Sequence, residues 1–208
     1  FAWYHPEDAE PMWDLPTVPE FEDPDNHVDV HYHSWDIGTC IQEIAENSVD
    51  TPHLKFLHGA PIIPPVEFEA NGPISKYNIM DGYIWGIGHG PGISETRHNK
   101  GDVAMLMFAL STPVHEELTR TRMAFTWKKY PEGSEDAKTA EHLYHHSIGE
   151  AEGEDSAGFE SVDLIVWDNK KYRPNPLLCD GDGPILKFRE YFKQFYVEKN
   201  EAQKTAAE

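Results

Sequence analysis

The middle of this chain consists of short segments rich in β-branched and aromatic residues, and turn sequences separate them. The segments cover residues 74–80, 82–88, 103–110 and 120–129, and no helical pattern lies between them. Strands that follow one another through turns pair in an antiparallel sheet. Residues 31–39 alternate well enough for a further strand. The sequence therefore predicts a domain built on an antiparallel sheet.

Helical patterns lie before and after these strands. Apolar residues recur at helical spacing over residues 40–49, and Pro52 starts a second helix, because proline fits the first helical position. After the strands, the patterns predict a polar helix over 135–150, a short apolar helix over 162–167 and an amphipathic helix over 184–199. Strands and helices segregated in this way place the chain in the α+β class.

The charge of the chain excludes several classes of partner. Its 208 residues include 17 Lys or Arg and 37 Asp or Glu, which gives a net charge of −20. Such a chain repels phosphate backbones and anionic membrane surfaces, so we expect no nucleic-acid partner. No apolar run approaches the ~18 residues of a membrane span, and no secretory signal is visible. Cys40 and Cys179 make no disulfide framework, and we therefore expect a cytoplasmic protein.

Two histidines in the second helix carry side chains that bind transition metals. His53 and His58 are five positions apart, about 140° around an ideal helix, so they can face one ion only in a short or distorted helix. Pro52 before them and Gly59 after them supply such helix ends. Neutral imidazoles suit Fe, Zn, Cu or Ni. In a chain with 12 histidines, such a pair alone is a weak signal.

The residues around this pair form a longer pattern. Asn47-x2-Asp50-x2-His53-x4-His58 resembles the iron motif of the Rieske non-haem iron oxygenases. In that family one carboxylate from a distant helix completes a site of two histidines and one carboxylate. Asp163 matches this third ligand, 105 positions after His58, with a tryptophan following on the same helix.

The end of the chain narrows the resemblance to one branch of that family. Residues 175–184 and 189–197 are similar to the end of the steroid-acting members, the 3-ketosteroid 9α-hydroxylases and the cholesterol 7-desaturases. The resemblance implies a helix-grip (START-like) fold, in which the antiparallel sheet wraps a long C-terminal helix with the iron between sheet and helices. It also implies a monooxygenase that activates O2 at a mononuclear Fe(II) to hydroxylate or desaturate a hydrophobic, steroid-like or sterol substrate.

The resemblance assigns roles to individual residues. His53, His58 and Asp163 would hold the iron. Asp50 would hydrogen-bond a histidine ligand and link it to the iron–sulfur cluster of a neighbouring subunit, the kind of outer partner expected around metal-bound imidazole. Asn47 would lie near the open side of the metal.

The substrate pocket is expected to be apolar, with few polar groups. Trp167, one turn from Asp163, and Phe108, on a central strand, are the candidates for its wall.

Other interpretations of these carboxylates remain open at the level of sequence. Asp163 can cap the helix that follows it, and Asp50 can cap the helix that begins at Pro52. Asp180 and Asp182 are alternative carboxylate ligands in the same region of the chain.

Two further histidine clusters and a run of glycines receive structural interpretations. The clusters His31-x-His33 and His142-x2-His145-His146 are interpreted as solvated polar faces. The alternating glycines over residues 86–92 lack the strand-then-helix setting of a dinucleotide motif, so they indicate a hairpin or rim loop.

A Rieske oxygenase also needs a [2Fe–2S] centre held by two cysteines and two histidines. The family carries them as Cys-x-His and Cys-x2-His, and this chain has neither pattern. Because residues 1–6 resemble the strand that ends a Rieske domain, we interpret residues 1–30 as a linker and strand leaving such a domain. Residues 31–200 are then the mononuclear iron domain, and residues 201–208 a frayed tail. For the full-length protein the resemblance implies electrons from NAD(P)H through a ferredoxin or reductase, and a homotrimer.

Two functions from other classes fit part of the pattern. One is a non-catalytic sterol- or lipid-binding helix-grip domain, which the intact histidines and Asp163 disfavour. The other is a zinc hydrolase, because two imidazoles and a carboxylate also suit Zn. The sequence offers no His-Glu-x2-His helix to support the latter.

Overall fold

A seven-stranded antiparallel sheet forms the centre of the fold. The computed structural model describes residues 3–150 and 162–197. The strands are β1 (His31–Ile37), β2 (Val66–Asn71), β3 (Ile74–Ile79), β4 (Ile84–His89), β5 (Ile93–Lys100), β6 (Val103–His115) and β7 (Leu118–Trp127). Their spatial order is β1-β7-β6-β5-β4-β3-β2. Strands β2 to β7 are therefore a meander, and β1 pairs with the last of them.

The helices lie between β1 and β2 and after β7. They are α1 (Ile41–Glu46), α2 (Pro52–Phe56), α3 (Glu135–Ser147), α4 (Leu164–Asn169) and α5 (Ile185–Phe192), with 3-10 helices at Pro19–Glu22 and Lys193–Phe195. This arrangement confirms the predicted α+β class.

The sequence prediction missed two strands, β2 and β5. Strand β2 exposes Glu67 and Glu69, so it lacks the apolar signal of a strand. Strand β5 buries the charged side chain of Glu95, which forms an ion pair of 3.2 Å with Arg97 two residues later. Because the charges of β5 are paired inside the structure, hydrophobic periodicity does not reveal the strand.

One face of the sheet packs against α3. Met105 and Phe125, on neighbouring strands, are fully buried with Ala140 of the helix. The helix begins at Ser134, whose hydroxyl accepts a hydrogen bond of 3.2 Å from the backbone N–H of Ala137. This cap satisfies one of the free N–H groups of the first turn.

The N-terminal segment covers the other face of the sheet. Val18 is buried in a cluster with Leu106 and Phe108 of β6, and the ring of Phe21 meets Phe108 edge-on at 5.7 Å. Arg97 also binds Glu20 of this segment at 2.8 Å. In the described chain before β1, this stretch is thus a strap bound to the sheet by apolar contacts and an ion pair.

The long C-terminal helix that the family resemblance implied is not present in the described residues. Helix α5 ends at Phe192, and a single 3-10 turn follows it. Two side-chain contacts hold the chain beyond α5: Gln194 donates to the carbonyl of Gly72, and the Tyr196 hydroxyl donates to the Gln42 side chain at 2.7 Å. These tertiary contacts override the helical periodicity of the segment. Residues 198–199 of the predicted helix and the predicted tail over 201–208 lie outside the described residues.

Among residues 3–150 and 162–197, no helix has the length and apolar character that crossing a membrane requires.

Candidate metal centre and cavity

The two histidines meet because α2 is only five residues long. Pro52 occupies the start of the helix, and the backbone N–H groups of Leu57 and His58 both bond to the carbonyl of His53. His58 therefore lies just past the helix end, off the regular helical path. The two imidazole rings come to 5.4 Å between centroids, at an interplanar angle of 76°. The short helix predicted from the flanking Pro and Gly removes the 140° separation that an ideal helix imposes on this spacing.

Asp163 brings the carboxylate to these rings from the start of α4. Its side chain is buried, and its Oδ2 lies 3.0 Å from Nε2 of His58. One ligand atom each of His53, His58 and Asp163 lies within 4.8 Å of the others. Asp163 makes no side-chain capping bond to α4, so its carboxylate faces the histidines and does not cap the helix.

The two alternative carboxylates do not join this group. Asp182 accepts hydrogen bonds from the backbone N–H and the thiol of Cys179, within the loop before α5. Asp180 is exposed on the same loop. Within the described chain, the metal-ligand geometry gathers only His53, His58 and Asp163.

Backbone and side-chain groups of the preceding turn hold the ring of His53. Its Nδ1–H donates to the backbone carbonyl of Asp50, which leaves the lone pair on Nε2. The side-chain amide of Asn47 lies 3.4 Å from that Nε2 atom. Burial lowers the pKa of His53, so its ring is held neutral, as a metal ligand must be. The local sequence thus fixes the tautomer and the direction of the ring.

The carboxylate of Asp50 lies near Lys170 and Asp182 as well as near His53. Burial raises its pKa, and the charges of His53 and Lys170 oppose that rise. No hydrogen bond from the described chain reaches the carboxylate, and Thr51 is the residue at the N-cap of α2. The side chain of Asp50 therefore does not cap α2, and only its backbone carbonyl orients His53.

An ion cluster on the outer side of α1 holds the helices around the site. Arg189 of α5 donates to Glu46 at 2.6 Å and to Glu43 at 3.3 Å. Lys170, at the end of α4, lies 2.7 Å from Glu43. Glu43 and Glu46 are both buried, and a buried charge is stable only when it is paired. The cluster therefore joins α1, α4 and α5, the helices next to the metal-ligand residues.

A cavity of about 530 Å³ opens beside the histidines and Asp163. Its wall is mostly apolar and comes from the sheet and from all the helices around it, including Ile84, Met107, Leu143 and Phe192. A volume of this size is in the range of sites that enclose small molecules.

The structure separates the two residues predicted for the pocket wall. Trp167 is buried and lines the cavity. Phe108 does not line it, because its side chain lies on the other face of the sheet, under Val18 and Phe21. Met107 and Ala109, its neighbours on β6, face the cavity instead. The prediction chose the right strand but the wrong residue, because successive side chains of a strand point to opposite faces of the sheet.

The interpretation of the other histidines as solvated needs correction for three of them. His31 stacks on Trp127 at 5.3 Å between centroids, and His33 bonds the Tyr144 hydroxyl at 2.8 Å. His146 lines the cavity, with its ring 6.4 Å from that of His58. His145 is exposed, and His142 is half-buried, with its ring 6.2 Å from that of His146. A helix with one face on the cavity directs histidines one position apart to different surroundings.

His98 is a cavity residue that the sequence analysis did not identify. It lies on β5 and lines the cavity, and its side chain is half-buried. Burial, followed by the charges of His146 and His58, lowers its pKa to about 4. No motif marks it, because it follows charged residues on a strand without an apolar pattern.

The alternating glycines lie in the hairpin of β4 and β5, as predicted, and also form part of the cavity wall. Gly88 is on β4, and Gly90 and Gly92 are in the turn to β5; all three line the cavity. A side chain at Gly92 would meet the backbone oxygen of Ser111 at 2.6 Å. The glycines allow neighbouring strands to approach closely at the cavity mouth.

The chain is similar to known proteins over nearly its whole length. Residues 2–196 match a family model described as 3-Ketosteroid 9alpha-hydroxylase C-terminal domain. Cholesterol 7-desaturase of Caenorhabditis elegans is 27% identical, over 96% of this chain and 52% of that protein. The oxygenase component of the 3-ketosteroid-9-alpha-monooxygenase of Rhodococcus rhodochrous is 25% identical, over 95% of this chain and 54% of that protein. The chain thus spans about half the length of these relatives.

Solved structures share the fold at low sequence identity. NdmA of Pseudomonas putida CBB5 is 14% identical, with a TM-score of 0.62 over 86% of this chain and 53% of that chain. Dicamba monooxygenase bound to dicamba is 12% identical, with a TM-score of 0.55 over 99% of this chain and 66% of that chain.

Proposed function

Since the chain belongs to the 3-ketosteroid 9α-hydroxylase C-terminal domain family and is a Rieske oxygenase catalytic domain, as its sequence motifs indicated, we propose that it oxidises a steroid or sterol. The reaction is hydroxylation or desaturation with O2 at a mononuclear Fe(II). The observation that carries the proposal is the convergence of His53, His58 and Asp163 at the wall of an apolar cavity of about 530 Å³.

The donor set fits a ferrous ion. Two neutral imidazoles and one carboxylate are the protein ligands of non-haem Fe(II) oxygenases, and they leave coordination positions open. The carboxylate of Asp163 is buried and lies 3.0 Å from Nε2 of His58. Burial of an anion is unfavourable unless a positive charge balances it. A divalent cation between these side chains supplies that charge.

The residues of this chain prepare the site in three ways. The hydrogen bond from Nδ1 of His53 to the Asp50 carbonyl aims the Nε2 lone pair at the metal position. Asp163 contributes one negative charge from a buried position. The cavity wall excludes water and holds an apolar substrate next to the ligands. The iron, when bound, supplies the chemistry of O2 reduction.

The electrons for this reaction would come from a Rieske [2Fe–2S] cluster. We assign residues 1–30 to the connection from a Rieske domain, residues 31–200 to the iron domain and residues 201–208 to a tail. A ferredoxin or reductase using NAD(P)H supplies the electrons, in a cytoplasmic homotrimer. Asp50 is suited to pass them on, because its backbone carbonyl accepts the hydrogen bond of a proposed iron ligand while no described residue hydrogen-bonds its carboxylate.

The identity of the carboxylate ligand is the sharpest test of the metal site. We expect one Fe(II) per chain in anaerobically purified protein, and loss of most of it in Asp163→Ala, because two imidazoles alone hold Fe(II) weakly. Asp180→Ala is the matched control and should keep its iron, since Asp180 is exposed on a loop outside the site. Metal analysis by mass spectrometry, with zinc measured in parallel, gives the readout.

Three results would contradict the proposal. Retention of iron in Asp163→Ala with loss in Asp180→Ala would mean that the carboxylate is wrongly assigned. Stoichiometric zinc and no iron after anaerobic purification would favour the zinc hydrolase, and a metal-free chain that binds sterol tightly would favour the carrier.

A further inference from the structure

Most polar groups of the cavity wall are already hydrogen-bonded within the protein. The Tyr77 hydroxyl meets that of Thr96 at 2.5 Å, and the Tyr191 hydroxyl donates to the carbonyl of Pro73 at 2.8 Å. Ser111 and Thr121 share a hydrogen bond of 2.9 Å. These groups are satisfied, so an apolar ligand can lie against them without loss.

His98 differs from these groups. Its ring faces the cavity, and no hydrogen bond from residues 3–150 or 162–197 reaches its nitrogens. Its partners across the sheet are Ile84 of β4 and Met105 of β6, both apolar. A polar group that a bound ligand shuts off from water costs roughly 1–3 kcal/mol if it has no hydrogen bond, so such a group in a binding cavity indicates a partner on the ligand.

The ring of His98 is also held in its neutral form at pH 7. Burial is the main cause of its low pKa of about 4, and the nearby His146 and His58 add to the effect. A neutral imidazole offers one N–H donor and one lone pair. It can therefore donate to a ketone or exchange hydrogen bonds with a hydroxyl.

We propose that His98 forms a hydrogen bond to the oxygen substituent of the steroid nucleus and selects oxygenated steroids over their deoxy analogues. This inference rests on the proposed function and names the feature of the substrate that the cavity recognises. A deoxy steroid would fill the same apolar volume but leave His98 unpaired. A site with a buried polar group rejects the analogue that lacks its partner.

Matched sterol pairs test this proposal. Cholesterol is compared with cholest-5-ene, and cholest-4-en-3-one with cholest-4-ene, as ligands of the Fe(II)-loaded chain under argon. Quenching of tryptophan fluorescence gives the dissociation constants, since Trp167 lies in the cavity wall. We expect the oxygenated member of at least one pair to bind about tenfold more tightly, the effect of one hydrogen bond in a buried site.

Variants at His98 assign that preference to the imidazole. His98→Leu should bring the two members of the pair within twofold, because the deoxy sterol no longer leaves a polar group unpaired and the oxygenated sterol loses its hydrogen bond. His98→Phe provides a second apolar replacement should the first fail to fold. His98→Gln keeps a donor and an acceptor, so it should restore part of the preference. Met107→Leu changes the same cavity without removing a polar group and should keep it in full.

The outcomes separate this inference from the proposed function. Tight binding of sterols with no preference in the natural chain, or a preference that survives in His98→Leu and His98→Phe, overturns the role of His98 and leaves the sterol oxygenase standing. Failure of the natural chain to bind any of the four sterols overturns the substrate class, and the role of His98 with it.

Discussion

The protonation of His98 couples the cavity to the stability of the fold. Its pKa falls from 6.5 to about 4 on folding. Between these values the unfolded chain binds a proton that the folded chain does not, so stability decreases as the pH falls from 6.5 towards 4. Above pH 6.5 the ring is neutral in both states, so the protonation of His98 does not reduce the stability of the fold there.

This sign gives a prediction for a single substitution. In the metal-free chain, lowering the pH from 7.5 to 4.5 should destabilise the natural protein relative to His98→Leu by on the order of 2 kcal/mol. Urea unfolding of both proteins at a series of pH values measures the difference in their free energies of unfolding. The titration of the many carboxylates is common to both proteins and cancels in that difference. His115→Gln is the control, because His115 is exposed at the end of β6 and should follow the natural protein. Parallel curves for the natural chain and His98→Leu would refute the low pKa.

At this scale, the sequence was informative where the pattern is local. One segment, formed by α1, a turn and α2, contains Asn47, His53 and His58. Because both helices are short, these residues are close in the structure as well as in the sequence. Asp163 was found through its family pattern, not by geometry. His98 and His146 have no such pattern, and only the packing of β5 and α3 brings them to His58.

Single elements owe their form to neighbours as much as to their own residues. Strand β5 carries Glu95 and Arg97 because both side chains find partners under the N-terminal strap. Helix α5 stops at Phe192 because Gln194 and Tyr196 bind other parts of the fold. Apolar periodicity identifies neither outcome, since in both cases polar contacts across the sequence decide the structure.

Strand β4 provides the clearest test of close packing between elements. A Cβ atom at Gly86 would lie 2.4 Å from the Tyr77 hydroxyl and 2.5 Å from the backbone oxygen of Glu95. At Gly88 the nearest atom, at 2.5 Å, is the Ser75 hydroxyl, the movable end of a side chain. A backbone oxygen cannot move aside as a serine hydroxyl can. We therefore expect Gly86 to tolerate a side chain less well than Gly88.

We therefore expect Gly86→Ala to lower the free energy of unfolding by about 1–3 kcal/mol, the usual cost of overpacking. Gly88→Ala, on the same strand and face, should lose less than about 1 kcal/mol. Chemical denaturation of the two variants beside the natural chain gives both values. Equal losses would show that the backbone contact of Gly86 does not limit this strand.

At the scale of the whole molecule, the cavity is the feature that sequence analysis could describe only in outline. An apolar pocket was expected, but its wall combines α1, the strands of the sheet, α3 and α5, which are far apart in the sequence. Which face of β6 meets the cavity depends on the strap that covers the opposite face. The error at Phe108 follows from that arrangement, because the strap residues Val18 and Phe21 give no motif that predicts where they pack.

The whole chain should bind its substrate but not turn it over. Binding needs the cavity and the proposed metal ligands, which all lie within this chain. Turnover needs a one-electron donor, and the chain carries neither the Cys-x-His nor the Cys-x2-His pattern of a Rieske centre. Burial raises the pKa of Cys40, which disfavours the thiolate that a cluster requires, and Cys179 is exposed and bonded to Asp182.

We therefore expect the Fe(II)-loaded chain to gain melting temperature with cholesterol or cholest-4-en-3-one, as any ligand selective for the folded state must produce. The same sample should show no iron–sulfur absorbance and no sustained product formation with NAD(P)H, a ferredoxin and its reductase. The positive control adds a separately produced Rieske domain of a relative, which supplies the electron donor without changing the cavity, and product should then form. Continuous turnover by the chain alone, without added peroxide, would mean that electrons reach the iron by a route independent of a Rieske cluster. The proposal that this chain depends on a Rieske domain for its electrons would then be wrong.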